Sequence, residues 1–113
     1  MIIKQERFGD VEVLRLDGKL DVHSAPRLLE ILDTLIASNV KSIVLDMGGI
    51  DHLSSYGLGV LVSTMKNLHK KDGNLKLVSI RGRVKTLFDM MGLLSRFEIF
   101  DNSDDAVKSF PSS

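Results

Sequence analysis

The sequence predicts an α/β domain: a four- to five-stranded sheet, mixed but mainly parallel, with helices packed on it. Three observations carry this reading. Short apolar or β-branched runs alternate with longer stretches whose apolar residues recur every three or four positions. The first two extended stretches are separated only by Gly9-Asp10, a turn, so the sheet opens with an antiparallel hairpin. The later strands are separated by helical stretches, which is the pattern of parallel crossovers. At 113 residues, with 43% hydrophobic content, the chain has room for one domain and a core that needs no crosslinks. The predicted order is ββαβαβαβα over a single domain, residues 1–113.

Apolar and polar residues alternate from Ile2 to Phe8 and again from Val11 to Leu16. Val11 and Val13 share one face and Leu14 and Leu16 the other, which predicts a bulge or burial on both faces. Ser24 followed by Pro26 resembles a helix start, with a hydroxyl cap and an early proline that needs no donor. Leu28, Ile31, Leu32 and Leu35 continue it until Ser38-Asn39. Ser42 to Met47, centred on Ile43-Val44-Leu45, reads as a buried strand. Leu58, Leu61, Val62, Met65 and Leu68 form a second helical stripe, with Lys66, Lys70 and Lys71 opposite and Asp72-Gly73-Asn74 as its stop. Leu75 to Ile80 is another strand. Val84, Leu87, Phe88 and Met91 give a third helix ending at Gly92. Phe97 to Phe100 is a last short strand, and Ser103-Asp104-Asp105 caps a final helix whose acidic first turn suits the helix dipole. Met65, Met90 and Met91 are expected in the core, and Pro111-Ser112-Ser113 to fray.

Composition excludes several functions. Fifteen Lys plus Arg balance fifteen Asp plus Glu, so the electrostatic footprint of a general nucleic-acid binder is missing. With no cysteine there is no disulfide frame, thiol nucleophile or thiolate metal site. Aromatic residues are 5% and tryptophan is absent, which argues against a base-stacking platform. No apolar run approaches a membrane span, and the charged opening is unlike a signal peptide. The expectation is a cytoplasmic domain without cofactor or metal.

The informative segment is Ser54-Ser55-Tyr56-Gly57-Leu58-Gly59-Val60-Leu61. Either serine can be an N-cap for the second helix. Two glycines in the first turns cost that helix about 1–2 kcal/mol against alanine, so close approach by another backbone or a partner is expected there. A helix N-terminus also tolerates a phosphate, because its free N–H groups and positive dipole end offset the added charge.

These residues resemble the signature Asp-Ser-(Ser/Thr)-Gly-Leu-Gly-Val-Leu of STAS domains, and more specifically of bacterial anti-sigma factor antagonists. Gly18-Lys19-Leu20-Asp21 is similar to the family's Gly-x-Leu-Asp, and Ile43-Val44-Leu45-Asp46 stands where the family has its central strand. The resemblance implies a non-enzymatic partner switch. Ser55 matches the serine phosphorylated by an anti-sigma factor serine/threonine kinase. Asp21, Ser54, Tyr56, Gly57 and Gly59 fall on the kinase-contact surface. A serine phosphatase reverses the modification, and the unphosphorylated form releases a sigma factor. Two positions depart from the pattern: Ser54 replaces the family's Asp, and Tyr56 replaces a small hydroxyl residue. Phosphorylation on Ser54, or binding without phosphorylation, therefore stays open on the sequence. So does a STAS module that senses a nucleotide or serves as a scaffold.

Other constellations are weaker. Gly57-Leu58-Gly59 lacks the third glycine of a dinucleotide fingerprint. Asp46, expected at a strand's C-terminal end, lacks the acidic neighbours of a phosphoacceptor aspartate site. His23, His52 and His69 are scattered, and Ser55, His52 and Asp51 are too close in sequence for a catalytic triad. Lys66, Lys70, Lys71, Arg81, Arg83 and Lys85 form a modest basic concentration, read as solvated faces.

Overall fold

The computed structural model describes residues 1–111; Ser112 and Ser113, part of the end expected to fray, lie outside the described residues. The elements are β1 (Ile2–Phe8), β2 (Val11–Leu20), α1 (Ala25–Ala37), β3 (Ser42–Leu53), α2 (Ser55–His69), β4 (Asn74–Val78), α3 (Gly82–Met90), β5 (Glu98–Phe100) and α4 (Ser103–Lys108). This is the predicted order. The five strands lie side by side in chain order, β1-β2-β3-β4-β5. Among the described strands only β1 is antiparallel to its neighbour.

That simple strand order decides where the helices go. Each crossover from β2 onward adds the next strand on the same side, and right-handed crossovers then put every connecting helix on one face. Accordingly α1, α2 and α3 share a core with Leu14, Leu16, Leu20, Ile43, Leu45, Met47, Leu75 and Leu77. The opposite face is covered in part by α4, where Ala106 and Phe110 pack on Val11, Val13, Val44 and Val78. The paired valines and paired leucines of β2 are thus explained by burial on both faces. Lys76 is the buried cation of the second core: its Nζ lies 2.9 Å from Glu98, 2.7 Å from the Ser109 hydroxyl and 4.2 Å from the centre of the Phe110 ring.

Several expectations are corrected. β2 and β3 run well past Leu16 and Met47, pairing with each other to Leu20 and Leu53. β4 pairs with β3 only over Ser42 to Asp46. Beyond that the two strands form an arm with register shifts at Arg15/Asp17 and Gly18/Lys19. Gly18, at φ 115°, takes a conformation that other residues rarely adopt. Asp46 therefore lies inside a strand rather than at its end, and its carboxylate accepts the Gly48 N–H at 2.9 Å. The Ser24 hydroxyl does not cap α1; it donates to the Lys19 carbonyl at 2.6 Å. Asn102, not Ser103, caps α4 by accepting from the Asp105 N–H at 2.9 Å. Met65 is in the core, but Met90 and Met91 at the end of α3 are exposed.

The two glycines of α2 sit in opposite surroundings. A Cβ on Gly57 would lie 2.8 Å from the Leu20 carbonyl oxygen and 3.0 Å from Leu53 Cδ1, whereas one on Gly59 would meet nothing within 4 Å. Gly57→Ala should therefore destabilise the fold by about 1–3 kcal/mol through overpacking against backbone. Gly59→Ala should stabilise it by up to about 1 kcal/mol through helix propensity. Urea unfolding of both variants beside the parent protein checks the opposite signs.

Candidate functional site

The site is built where the β2–β3 arm ends. Leu20 and Leu53 are its last pair, and the N–H of Ser54 donates to the Leu20 carbonyl at 3.0 Å. This bond holds the two chain exits together, so the turn after β2 and the start of α2 become neighbours. Ser54 is extended (φ −83°, ψ 167°), as an N-cap should be. Its hydroxyl accepts from the Gly57 N–H at 3.1 Å, and its carbonyl accepts from Leu58 at 2.9 Å.

Ser55 is the first residue of α2 and is exposed; its hydroxyl makes no hydrogen bond to any described residue. Tyr56 is 45% exposed, and Gly59 lies bare one turn further on, with Ser63 exposed one turn beyond it. No acidic residue occupies the first turn of α2. The positive end of the helix dipole is therefore not offset from within the helix, and added negative charge at Ser55 is favourably placed.

After β2 the chain turns through Asp21-Val22-His23-Ser24. The Asp21 carboxylate accepts from the backbone N–H groups of His23 at 2.9 Å and Ser24 at 3.1 Å. The Asp21 N–H donates to the Ser24 hydroxyl at 3.0 Å, and the Asp21 carbonyl receives the N–H of Ala25 at 2.8 Å, the first turn of α1. The hydrogen bond from His23, then that from Ser24, holds the Asp21 carboxyl below its ordinary pKa. Val22 at the tip of this turn is exposed and was not singled out in the sequence; its signal there is an apolar residue that belongs to neither helix nor strand pattern.

Asp21, Ser54, Ser55, Tyr56 and Gly59 thus share one end of the molecule. Gly57 belongs to the same helix start but is buried, and the close approach expected at it is made by Leu20 of this chain. A broad cleft of about 790 Å³ opens between the arm and α3, lined by Lys19, Asp21, Asp51, His52, Arg81 and Arg83 among others. Of the predicted residues only Asp21 lines it. Arg81 and Arg83, read from sequence as solvated, face this cleft; the Arg81 guanidinium donates to the Gly48 carbonyl at 3.0 Å. No hydrogen bond joins Ser55 to His52 among the described residues, and no group of three or more His, Asp or Glu among them could hold a metal ion. No helix among them is long and apolar enough to cross a membrane.

The turn yields a pH prediction. Because folding lowers the Asp21 pKa, the stability it contributes is present above the unfolded-state value and is lost as pH falls through the folded one. Asp21→Asn should lower the melting temperature at pH 7, and the difference from the parent should narrow progressively below pH about 4. Thermal unfolding across a pH series measures it.

Residues 3–106 match the STAS domain family. The chain is 28% identical over 100 residues to the anti-sigma-B factor antagonist of Staphylococcus aureus (strain NCTC 8325 / PS 47), covering 88% of this chain and 90% of that protein. Among solved structures it is similar to an anti-sigma factor antagonist from Mycobacterium paratuberculosis, with a TM-score of 0.85 and 24% identity over 96% of this chain and 92% of that one. It is also similar to the Bacillus cell fate determinant SpoIIAA in its phosphorylated form, with a TM-score of 0.78 and 20% identity over 95% and 97% of the two chains. With the expected motifs joined at one end of a five-stranded sheet, and a family match over nearly its whole length, this chain belongs to the STAS domain family.

Proposed function

We propose that this protein is an anti-sigma factor antagonist: a non-enzymatic, cytoplasmic regulator that binds an anti-sigma factor serine/threonine kinase through the end of the molecule carrying Asp21, Ser54, Ser55, Tyr56 and Gly59. Binding displaces a sigma factor. Phosphorylation of Ser55 by the kinase abolishes binding, and a serine phosphatase restores it. The relatives' names support the class of partner. Gly57 contributes by letting α2 seat against Leu20 rather than by touching the partner.

The observation that carries the switch is the division of labour between the two serines. The Ser54 hydroxyl is half-buried and occupied by the Gly57 N–H, while that of Ser55 is exposed and unengaged among the described residues. A phosphoacceptor must reach a kinase active site, and only Ser55 can do so without dismantling the helix cap. The phosphate would add about −1.5 to −2 charge at a position the helix end tolerates, so the fold persists while the surface changes. In a desolvated protein–protein contact such a charge costs several kcal/mol unless the partner supplies a cation. Gly59 supports the same reading: it leaves open surface beside Ser55 at a helix position where alanine would be more stable.

Intact-mass analysis of the protein from its native host, with the modified residue located, tests the acceptor. The expected result is one phosphate on Ser55, absent from Ser55→Ala and retained in Ser54→Ala. The latter should lose about 1 kcal/mol of stability as its cap is removed. Phosphate on Ser54 would move the switch. Ser55→Asp should bind the isolated kinase at least about tenfold more weakly than the parent, a loss of about 1.4 kcal/mol; equal affinity by titration calorimetry would refute the switch.

A further inference from the structure

We propose that β1 is a self-association edge, through which two copies of this chain pair as antiparallel strands centred on Gln5 and join their sheets into one. The sheet edge carries this inference independently of the functional reading. The sheet has two edges, and they are not alike. β5 is three residues long, a short edge of the kind that discourages pairing. β1 is seven residues long, paired with β2 on one side from Ile2↔Asp17 to Phe8↔Val11. No described strand covers its other side, so half of its backbone N–H and C=O groups are presented along one open line.

Its side chains point to two faces. Ile3 packs toward the main core, while Ile2, Lys4, Glu6 and Phe8 alternate onto the opposite face. There Ile2 is 58% and Phe8 42% exposed, large apolar groups at the two ends of the strand. Lys4 lies opposite Arg15 within the sheet and has no ion pair among the described residues. Glu6 lies 3.4 Å from Arg15 with half of its side chain exposed.

Set antiparallel to itself, with Gln5 opposite Gln5, the face of this strand that carries Ile2, Lys4, Glu6 and Phe8 is complementary. Lys4 of each copy faces Glu6 of the other, and Ile2 of each faces Phe8 of the other. Opposite charges and large apolar groups in such facing positions stabilise an antiparallel ladder. The alternatives are disfavoured by the same residues. A one-residue slip sets an outward-facing backbone position against an inward-facing one and breaks the ladder. A two-residue slip sets Lys4 against Lys4, or Glu6 against Glu6. Parallel in-register pairing brings both like-charge pairs together at once. The charges that guard this edge against other strands therefore select one register with a second copy. The two-fold axis places the Ser55 ends at opposite ends of the joined sheet, so neither copy covers the other's.

Sedimentation equilibrium and light scattering test this on the full chain. The parent protein should show twice its 12.5 kDa mass as concentration rises. Lys4→Glu and Glu6→Lys should each remain at the single-chain mass, with circular dichroism confirming that each is folded. Mixing the two should restore the double mass, because the first variant carries acidic groups at both positions and the second carries basic groups at both. A parent that stays at the single-chain mass up to about 1 mM overturns the proposal. So does a charge variant that still dimerises alone, or a mixture of folded variants that does not associate.

Discussion

The carbonyl oxygen of Leu20 accepts the N–H of Ser54, and the space above it admits nothing larger than the α-carbon of Gly57. Leu20 and Leu53, both buried, crowd the same spot, and a hydrogen bond in such surroundings is costly to break. One residue after Leu20 comes Asp21, which organises the entry to α1. One residue after Ser54 comes Ser55, which opens α2. The two loops that define the site are therefore consequences of a single strand pairing, carried past the point where the rest of the sheet has stopped. Their geometry is set by a strand on one side and a helix on the other, as the proposed interaction surface requires.

Most of the architecture was legible because its driving forces are local. The stripe through α1, the Ile43-Val44-Leu45 run and the Gly9-Asp10 turn each follow from side-chain period or turn chemistry. The β2–β3 arm was not legible, and the reason is physical. A two-stranded extension buries less on either side, so Asp17, Lys19, Asp51 and His52 can be polar and the apolar alternation that marks a strand fades. Gly48 and Gly49, residues depleted from strands in general, both lie within β3. Met90 and Met91 were misplaced because hydrophobicity predicts burial only where another element covers the residue, and at the end of α3 no described element covers these two.

The site was legible in composition but not in roles. Its residues could be picked out as two short stretches, yet nothing in the sequence distinguishes a serine that caps a helix from one that decorates it. That depends on backbone angles: Ser54 is extended and can fold its hydroxyl over the Gly57 N–H, while Ser55 is already helical and exposed, its hydroxyl unengaged among the described residues. The two glycines likewise look equivalent in sequence. Their difference lies in what stands beyond the helix, Leu20 in one case and solvent in the other. Asp21, read from the sequence as part of a contact surface, also has a local task that the sequence did not disclose: its carboxylate shapes the turn.

The consecutive strand order also bears on how the chain reaches this structure. Every strand after the first is laid beside one that has already left the ribosome, so no strand waits for a distant partner. The sheet can grow in the direction of synthesis, with each crossover helix closing over the pair just formed. α4 follows the last strand and seals the face carrying Val11, Val13, Val44 and Val78. Until it arrives, Lys76 is without its contacts to Ser109 and Phe110, and the second core is open to water. This short helix thus completes the second core, joining residues early in the sequence to those late in it.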